Sequence, residues 1–116
     1  MPAVNFAEQF AGPVERGEKR QTIRLRRKDP IAQGDHLYLY TGMRTKRCRK
    51  LRDAECAAVE PIGIDHAGRI AVGGNYLGTA GEAALARADG FGTVQELVDW
   101  FVRHYGLPFA GVIIHW

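Results

Sequence analysis

Residues 93–116 read TVQELVDWFVRHYGLPFAGVIIHW and combine a helix with a strand. Thr93 and Glu96 have the spacing of a capping box, in which each residue satisfies a free backbone N–H of the other. Apolar side chains then recur at the helical period and predict one buried stripe: Val94, Leu97, Val98, Phe101, Val102 and Tyr105. Gly106 and Pro108 end this helix, and the apolar run 110–116 predicts a strand at the centre of a sheet.

The sequence before this segment alternates turn signals with strand patterns. It predicts a short helix over 6–16, strands over 21–25 and 36–41, an extended segment over 49–64 that turns at 65–68 and returns over 69–72, a loop over 73–78 and a weaker helix over 79–88. No internal repeat or linker interrupts this order. The 116 residues therefore predict one α+β domain, 1–116, with a small antiparallel or mixed sheet or barrel flanked by helices.

Positive charge is concentrated in two runs that contain no acidic residue. Residues 19–28 and 44–52 each carry six of the 16 Lys and Arg residues. A concentration of this kind attracts polyanions at long range. Apolar residues within the runs, such as Ile23, Leu25 and Leu51, predict strands that hold the charges in fixed positions. RNA or another phosphate-bearing ligand is the first partner to expect, and a solvated charged surface is the alternative.

Several classes of protein are excluded by what the sequence lacks. No apolar stretch approaches the ~18 residues of a membrane span. The first six residues lack the basic start and apolar segment of a signal peptide, which predicts a cytoplasmic protein. Cys48 and Cys56 and the four histidines have no zinc-site spacing, so neither a metal nor another cofactor is expected.

The segment 17–24 resembles the signature of the ASCH domain family. It contains the spacing G-x-K-x-x-T-x-R, from Gly17 to Arg24. Further matches follow in the family's order: Gly34-Asp35, Ala88-Asp89-Gly90-Phe91, Tyr105-Gly106 and Gly111-Val112-Ile113. The resemblance covers 6–116 and implies a PUA-like β-barrel, a fold whose members bind RNA. One bacterial branch of the family consists of N4-acetylcytidine amidohydrolases, and ribonuclease activity has also been described.

The resemblance to the amidohydrolase branch implies three catalytic residues. Lys19 and Thr22 match its K-x-x-T spacing, and Asp89 stands near the position of a glutamate that is one methylene longer. Lys19 would act as a base or nucleophile, with its pKa lowered by burial and by Arg24. Thr22 would donate to an oxyanion or position a water, and Asp89 would relay a proton or hold Lys19. A plain salt bridge between Lys19 and Asp89, or Asp89 as a turn or helix-cap residue, is the alternative.

Three functions remain open from the sequence. The leading one is an RNA- or nucleotide-binding domain with a base or nucleoside cleft, whose predicted contacts are Arg20, Arg24, Arg26, Arg44, Lys46, Arg47 and Tyr40. Tyr38 and Tyr40 share one strand face, where they either stack on bases or pack against the core. The second is an amidohydrolase for a modified nucleoside such as N4-acetylcytidine, which requires Lys19 and Asp89 to converge. A ribonuclease ranks third, because no histidine lies in either basic run.

Overall fold

The computed structural model describes residues 2–116 and divides the strands between two sheets. In chain order the elements are β1 (Ala3–Phe6), α1 (Glu8–Glu15), β2 (Gln21–Arg24), β3 (His36–Thr41), β4 (Arg49–Glu55), β5 (Ala58–Ile64), β6 (Ile70–Val72), β7 (Asn75–Tyr76), α2 (Thr79–Ala88), α3 (Val94–His104) and β8 (Phe109–His115). The chain is thus a single α+β domain with mostly antiparallel sheets, as the element order predicts. Among residues 2–116, no helix is long and apolar enough to cross a membrane.

The smaller sheet has the strand order β1-β3-β4, and the larger has the order β2-β8-β5-β6-β7. The β1–β3 pair is parallel, and the other recorded pairs are antiparallel. Strand β8 lies between β2 and β5, because its consecutive apolar residues Val112, Ile113 and Ile114 are all buried and suit a strand covered on both faces. The predicted central position of this strand is confirmed.

Helix α3 begins at the predicted cap but buries a narrower stripe than its periodicity predicts. The hydroxyl of Thr93 accepts a hydrogen bond from the backbone N–H of Glu96 at 3.1 Å. The Glu96 carboxylate accepts from the N–H of Gly92 at 2.8 Å, rather than from that of Thr93 as the capping box predicts. Leu97 and Phe101 are buried, whereas Val102 and Tyr105 are 49% and 46% exposed. The last turn of the helix therefore extends past the core, and the prediction that Val102 and Tyr105 are buried is wrong.

Strand β1 was not predicted, and α1 begins at Glu8 rather than at Phe6. A four-residue strand carries too few residues for a clear period, and this one is held by long-range contacts. It pairs with β3, and its backbone carbonyls accept hydrogen bonds from two side chains of the first basic run. Arg24 donates to Asn5 and Arg27 donates to Ala3, each at 2.6 Å.

The basic runs are only partly strands. Strand β2 ends at Arg24, so Leu25 is 52% exposed instead of sharing the buried face of Ile23. In the second run, residues 44–48 form turns and bends, and the strand begins only at Arg49. Gly42 and Arg44 both have a positive φ, of 66°, which a continuing strand does not allow. The predicted strand over 21–25 therefore ends one residue early, and the extended segment predicted from 49 begins where expected.

Gly111 marks a close approach of β2 and β8, and we expect Gly111→Ala to destabilise the fold by about 1–3 kcal/mol or more. A Cβ here would lie 2.3 Å from the backbone oxygen of Arg24 and 2.8 Å from a ring carbon of Phe109. Gly63→Ala is the matched control, because its Cβ would meet the oxygen of Phe109 at an ordinary 3.6 Å. Urea unfolding of both variants measures the difference, and equal stabilities would contradict the expected clash.

Candidate functional site

Lys19 is buried, and its side chain contacts Asp89, which lies 70 residues further along the chain. The backbone N–H of Lys19 donates to Pro13 at 3.0 Å, which fixes the residue between α1 and β2. Its ammonium donates to the backbone carbonyl of Asp89 and lies 3.3 Å from the carboxylate oxygen Oδ1. The aromatic rings of Phe6 and Phe10 lie 5.9 and 4.9 Å from Nζ. The amine is thus enclosed by two rings and one acid.

Asp89 is the C-terminal cap residue of α2 and is also buried. Its Oδ1 accepts a long hydrogen bond from Gln21 Nε2 at 3.4 Å. The next residue, Gly90, has a φ of +96°, and a Cβ there would meet Phe10 at 3.0 Å and Lys19 at 3.4 Å. The Asp-Gly sequence therefore ends the helix and lets the chain pass close to the lysine stem. Asp89 is the partner of Lys19 and caps the end of α2, rather than starting the following helix, which Thr93 caps.

Burial shifts the pKa values of both members of this pair toward their uncharged forms. Desolvation lowers the pKa of Lys19, while Asp89 opposes that shift and Arg24 adds to it. Desolvation likewise raises the pKa of Asp89, while Lys19 and Gln21 oppose that shift. Burial therefore disfavours the charged forms of both groups, and their attraction for each other opposes that effect.

Thr22 and Arg24 lie next to this pair on β2. The Thr22 hydroxyl oxygen accepts a hydrogen bond from Arg24 Nε at 2.9 Å, so its own hydrogen is directed elsewhere. Arg24 is held by its Nη2 bond to Asn5 and by the Phe6 ring, 5.0 Å from the guanidinium carbon. The structure thus provides a hydroxyl donor and a fixed cation beside the buried lysine.

These four side chains line a cavity of about 100 Å³. Its remaining wall is largely aromatic, with Asn5, Ala7 and Ile23 beside seven ring-bearing residues: Phe6, Phe10, Phe91, Trp100, Phe101, His104 and Tyr105. Pockets that enclose a drug-sized ligand measure roughly 300–1,000 Å³, so this cavity suits a small group or one ring of a ligand whose remainder stays outside.

The sequence did not identify the aromatic wall, although one signal for it exists. Trp100 and His104 are four residues apart on α3, and their rings stack at 3.9 Å. His104 Nδ1 bonds to the carbonyl of Trp100 at 2.7 Å. This i, i+4 pair flanks the buried Phe101, which places both rings at the edge of the core.

The predicted RNA contacts fall in different places. Arg24 lines the cavity, whereas Arg20 is exposed and donates from Nε to the carbonyl of Trp116 at 3.2 Å. Four of the cations are exposed and form no salt bridge with an acid within 2–116: Arg26, Arg44, Lys46 and Arg47. Tyr40 is half-buried. The structure therefore unites Lys19, Thr22, Arg24 and Asp89 but keeps Arg20 apart from them.

Comparisons of the chain with protein-family models, curated proteins and solved structures return no match. Across residues 2–116, no three His, Cys, Asp or Glu side chains are grouped as metal ligands. The chemistry of the site therefore follows from its own side chains: a buried amine, a buried acid, a hydroxyl and an arginine at one small cavity.

Proposed function

We propose that this chain is an ASCH-family amidohydrolase that removes the acyl group from an N4-acylated cytosine, with N4-acetylcytidine as the substrate to test. The observation that carries the proposal is the 3.3 Å contact between Lys19 and Asp89 inside the cavity that Thr22 also lines. Amide hydrolysis needs a base and an acid that both reach the same amide bond. Lys19 and Asp89 lie close enough together to do so, and their pKa values shift in opposite directions.

The reaction starts with a proton shift from the Lys19 ammonium to the Asp89 carboxylate, which leaves a neutral amine beside a neutral acid. Burial favours this form because it lowers the pKa of Lys19 and raises that of Asp89. The amine takes a proton from a water that attacks the acyl carbon. The acid gives its proton to the departing cytosine N4. A C–O bond forms and the C–N bond breaks, acetic acid and cytidine leave, and the pair returns to ammonium and carboxylate.

Thr22 and Arg24 stabilise the oxygen that becomes negative during the attack. The Thr22 hydroxyl is free to donate, because its oxygen already accepts from Arg24. A fixed donor of this kind speeds acyl chemistry by favouring the tetrahedral intermediate. The aromatic wall stacks on the cytosine ring, and the ribose remains outside, in keeping with the small cavity volume.

The finer description of the fold, a PUA-like barrel, is part of the same proposal. Phe6 of β1 packs against Trp116, which follows β8, with ring centroids 5.8 Å apart. This contact brings the smaller sheet against the larger one, as a barrel built from both requires. Within the smaller sheet, Thr41 of β3 holds Phe6 in place by donating to its carbonyl at 2.7 Å.

An RNA- or nucleotide-binding domain without catalysis is the second candidate. It is favoured by the exposed cations Arg26, Arg44, Lys46 and Arg47, which have no acidic partner within 2–116. Free cations on a surface bind phosphate, and the affinity falls with salt. This candidate explains the surface charge but gives no reason for a lysine and an aspartate inside the cavity.

The test is the conversion of N4-acetylcytidine to cytidine by the purified chain, followed by chromatographic separation of the nucleosides. Circular dichroism establishes that the preparation is folded. Conversion in proportion to protein concentration supports the amidohydrolase. If the folded protein converts none, the amidohydrolase is rejected and the binding domain becomes the better account.

We expect kcat/KM to depend on pH as a bell. The active form of the Lys19–Asp89 pair carries one proton more than the free amine and carboxylate. As pH rises, kcat/KM therefore increases when the doubly protonated pair loses its first proton. It decreases again when the second proton leaves. Given the directions of both shifts, the lower apparent pKa of the profile should lie above the ordinary pKa of an aspartate. The upper apparent pKa should lie below that of a lysine. The two apparent values describe the pair rather than either residue. A flat profile across this range would contradict the mechanism.

A further inference from the structure

The lining of the cavity runs from buried to exposed side chains. Lys19 and Asp89 are buried, whereas Asn5, His104 and Tyr105 are exposed members of the same lining. We call these three exposed residues the mouth of the cavity. A ligand whose reacting group meets Lys19 therefore extends past the mouth into solvent.

The ring of His104 is held by two contacts with Trp100, one turn earlier on α3. It stacks on the Trp100 ring, with centroids 3.9 Å apart and an angle of 22° between the planes. Its Nδ1 bonds to the backbone carbonyl of Trp100 at 2.7 Å. Trp100 in turn packs edge-on against Phe10, whose ring lies 4.9 Å from Lys19 Nζ. The imidazole therefore has a defined position relative to the buried amine.

The bond to Trp100 decides which nitrogen of the neutral imidazole carries the hydrogen. A carbonyl oxygen only accepts, so Nδ1 of His104 must be the donor and holds the proton. Nε2 is then left with a lone pair and is a hydrogen-bond acceptor. Within residues 2–116, Nε2 of His104 has no hydrogen-bond or salt-bridge partner. The mouth thus offers a ligand an oriented acceptor that no other side chain occupies.

An N4-acylated cytidine has few groups that can donate to this acceptor. Its N4–H belongs to the amide that meets the buried residues Lys19 and Asp89. The cytosine ring atoms N3 and O2 only accept hydrogen bonds. The remaining donors are the hydroxyls of the ribose, which the cavity is too small to enclose together with the base. A ribose hydroxyl is therefore the group of the substrate that suits Nε2 of His104.

We propose that Nε2 of His104 accepts a hydrogen bond from a ribose hydroxyl, so that the cavity selects an N4-acylated nucleoside over the free N4-acylated base. The identity of the ligand rests on the proposed function, whereas the tautomer follows from the contact with Trp100 alone. The stack on Trp100 orients the acceptor before the ligand binds, which lowers the entropy cost of the contact. N4-acetylcytosine has no sugar and leaves Nε2 without this partner.

The first experiment determines the tautomer of His104 without any ligand. Two-bond ¹H–¹⁵N correlation spectra of the histidine rings distinguish Nδ1–H from Nε2–H when they are recorded at a mildly alkaline pH, where the imidazole is neutral. The signals of His104 are assigned by their disappearance in His104→Phe. Nδ1–H is the expected form. Nε2–H as the main form overturns the inference, whether or not N4-acetylcytidine is hydrolysed.

The second experiment compares kcat/KM for N4-acetylcytidine and N4-acetylcytosine in the wild type and in two variants of His104. In His104→Phe the preference for the nucleoside is expected to fall about five-fold, the worth of one neutral hydrogen bond, with the change mainly in KM. Phenylalanine keeps a ring against Trp100 but has no acceptor. His104→Gln places a carbonyl oxygen near the former Nε2 and should retain most of the preference. The matched control His66→Phe makes the same change at an exposed histidine that does not line the cavity, and should keep the wild-type preference.

The outcomes separate this inference from the proposed function. If N4-acetylcytidine is hydrolysed and His104→Phe has the same nucleoside preference as the wild type, the inference is overturned and the amidohydrolase stands. If neither substrate is hydrolysed, the amidohydrolase is rejected, and isothermal titration calorimetry with cytidine and cytosine tests the contact instead. Cytidine binding that weakens relative to cytosine binding in His104→Phe supports the contact. Equal changes for the two ligands, or no binding of either to the wild type, overturn it.

Discussion

Replacing Lys19 by methionine is expected to lower kcat for N4-acetylcytidine by about 10²–10⁴-fold, the contribution of one positioned base. Methionine keeps an unbranched apolar stem between Phe6 and Phe10 but removes the amine. Without the Lys19 ammonium, which lowers the pKa of Asp89, burial raises that pKa further and favours the uncharged acid. The variant should therefore fold, so the loss of turnover reports chemistry. Steady-state kinetics, with nucleosides separated by chromatography, measures it.

Two further measurements separate a catalytic amine from a structural one. The control variant Arg87→Met removes an exposed cation from α2 and should keep the wild-type rate. Any residual activity of Lys19→Met should lose the bell-shaped pH dependence, because the pair that titrates is gone. Turnover equal to wild type in a folded Lys19→Met variant would remove Lys19 from the mechanism.

Replacing Asp89 by leucine is expected to destabilise the fold by about 3–5 kcal/mol at neutral pH, because it leaves the Lys19 ammonium buried without its partner. The Lys19 pKa is already lowered by burial, and Asp89 is the main group that opposes this shift. Without Asp89, the folded-state pKa falls further below the unfolded one. Between those two values the unfolded chain binds more protons, so stability rises with pH and the deficit of the variant shrinks. Urea unfolding at several pH values measures both effects.

The double variant Lys19→Met/Asp89→Leu provides the control for that prediction. With both charges replaced by apolar groups, most of the lost stability should return, because an uncompensated charge costs more than the absence of the pair. The coupling free energy follows from the four proteins of this cycle. A single variant Asp89→Leu within about 1 kcal/mol of wild type would show that the Lys19 amine is uncharged even without its acid.

Helix α3 and strand β8 were predictable because local sequence patterns indicate which of these elements the residues form. The period of Leu97 and Phe101 and the uninterrupted apolar run in β8 depend on local sequence only. Strand β1 was not predictable, since its pairing with β3 and its bonds from Arg24 and Arg27 join distant parts of the chain. The positive φ of Arg44 could not be predicted, because clustered arginines and lysines carry no signal for it.

The candidate site also depends on contacts between distant parts of the chain, which the sequence does not show. The family resemblance named Lys19, Thr22 and Asp89 separately, but nothing local to either residue fixes the contact between Lys19 and Asp89 across 70 positions. That contact depends on where α2 ends relative to β2, which the packing of Phe10 against Gly90 and Phe91 decides. The closed environment that shifts both pKa values follows from that packing and cannot be read from spacing.

The bond from Lys19 to the carbonyl of Asp89, the residue that caps α2, has a consequence for recognising the proposed activity in related sequences. Because the same amine anchors a helix end and neutralises Asp89, selection for a folded protein alone would retain both residues after catalysis had ceased. Within residues 2–116 the Thr22 hydroxyl bonds only to Arg24, so it is under weaker structural constraint. Under the proposed mechanism, position 22 is therefore the better marker of catalysis, and an intact Lys19–Asp89 pair beside valine at position 22 would mark a protein that folds but does not hydrolyse the amide.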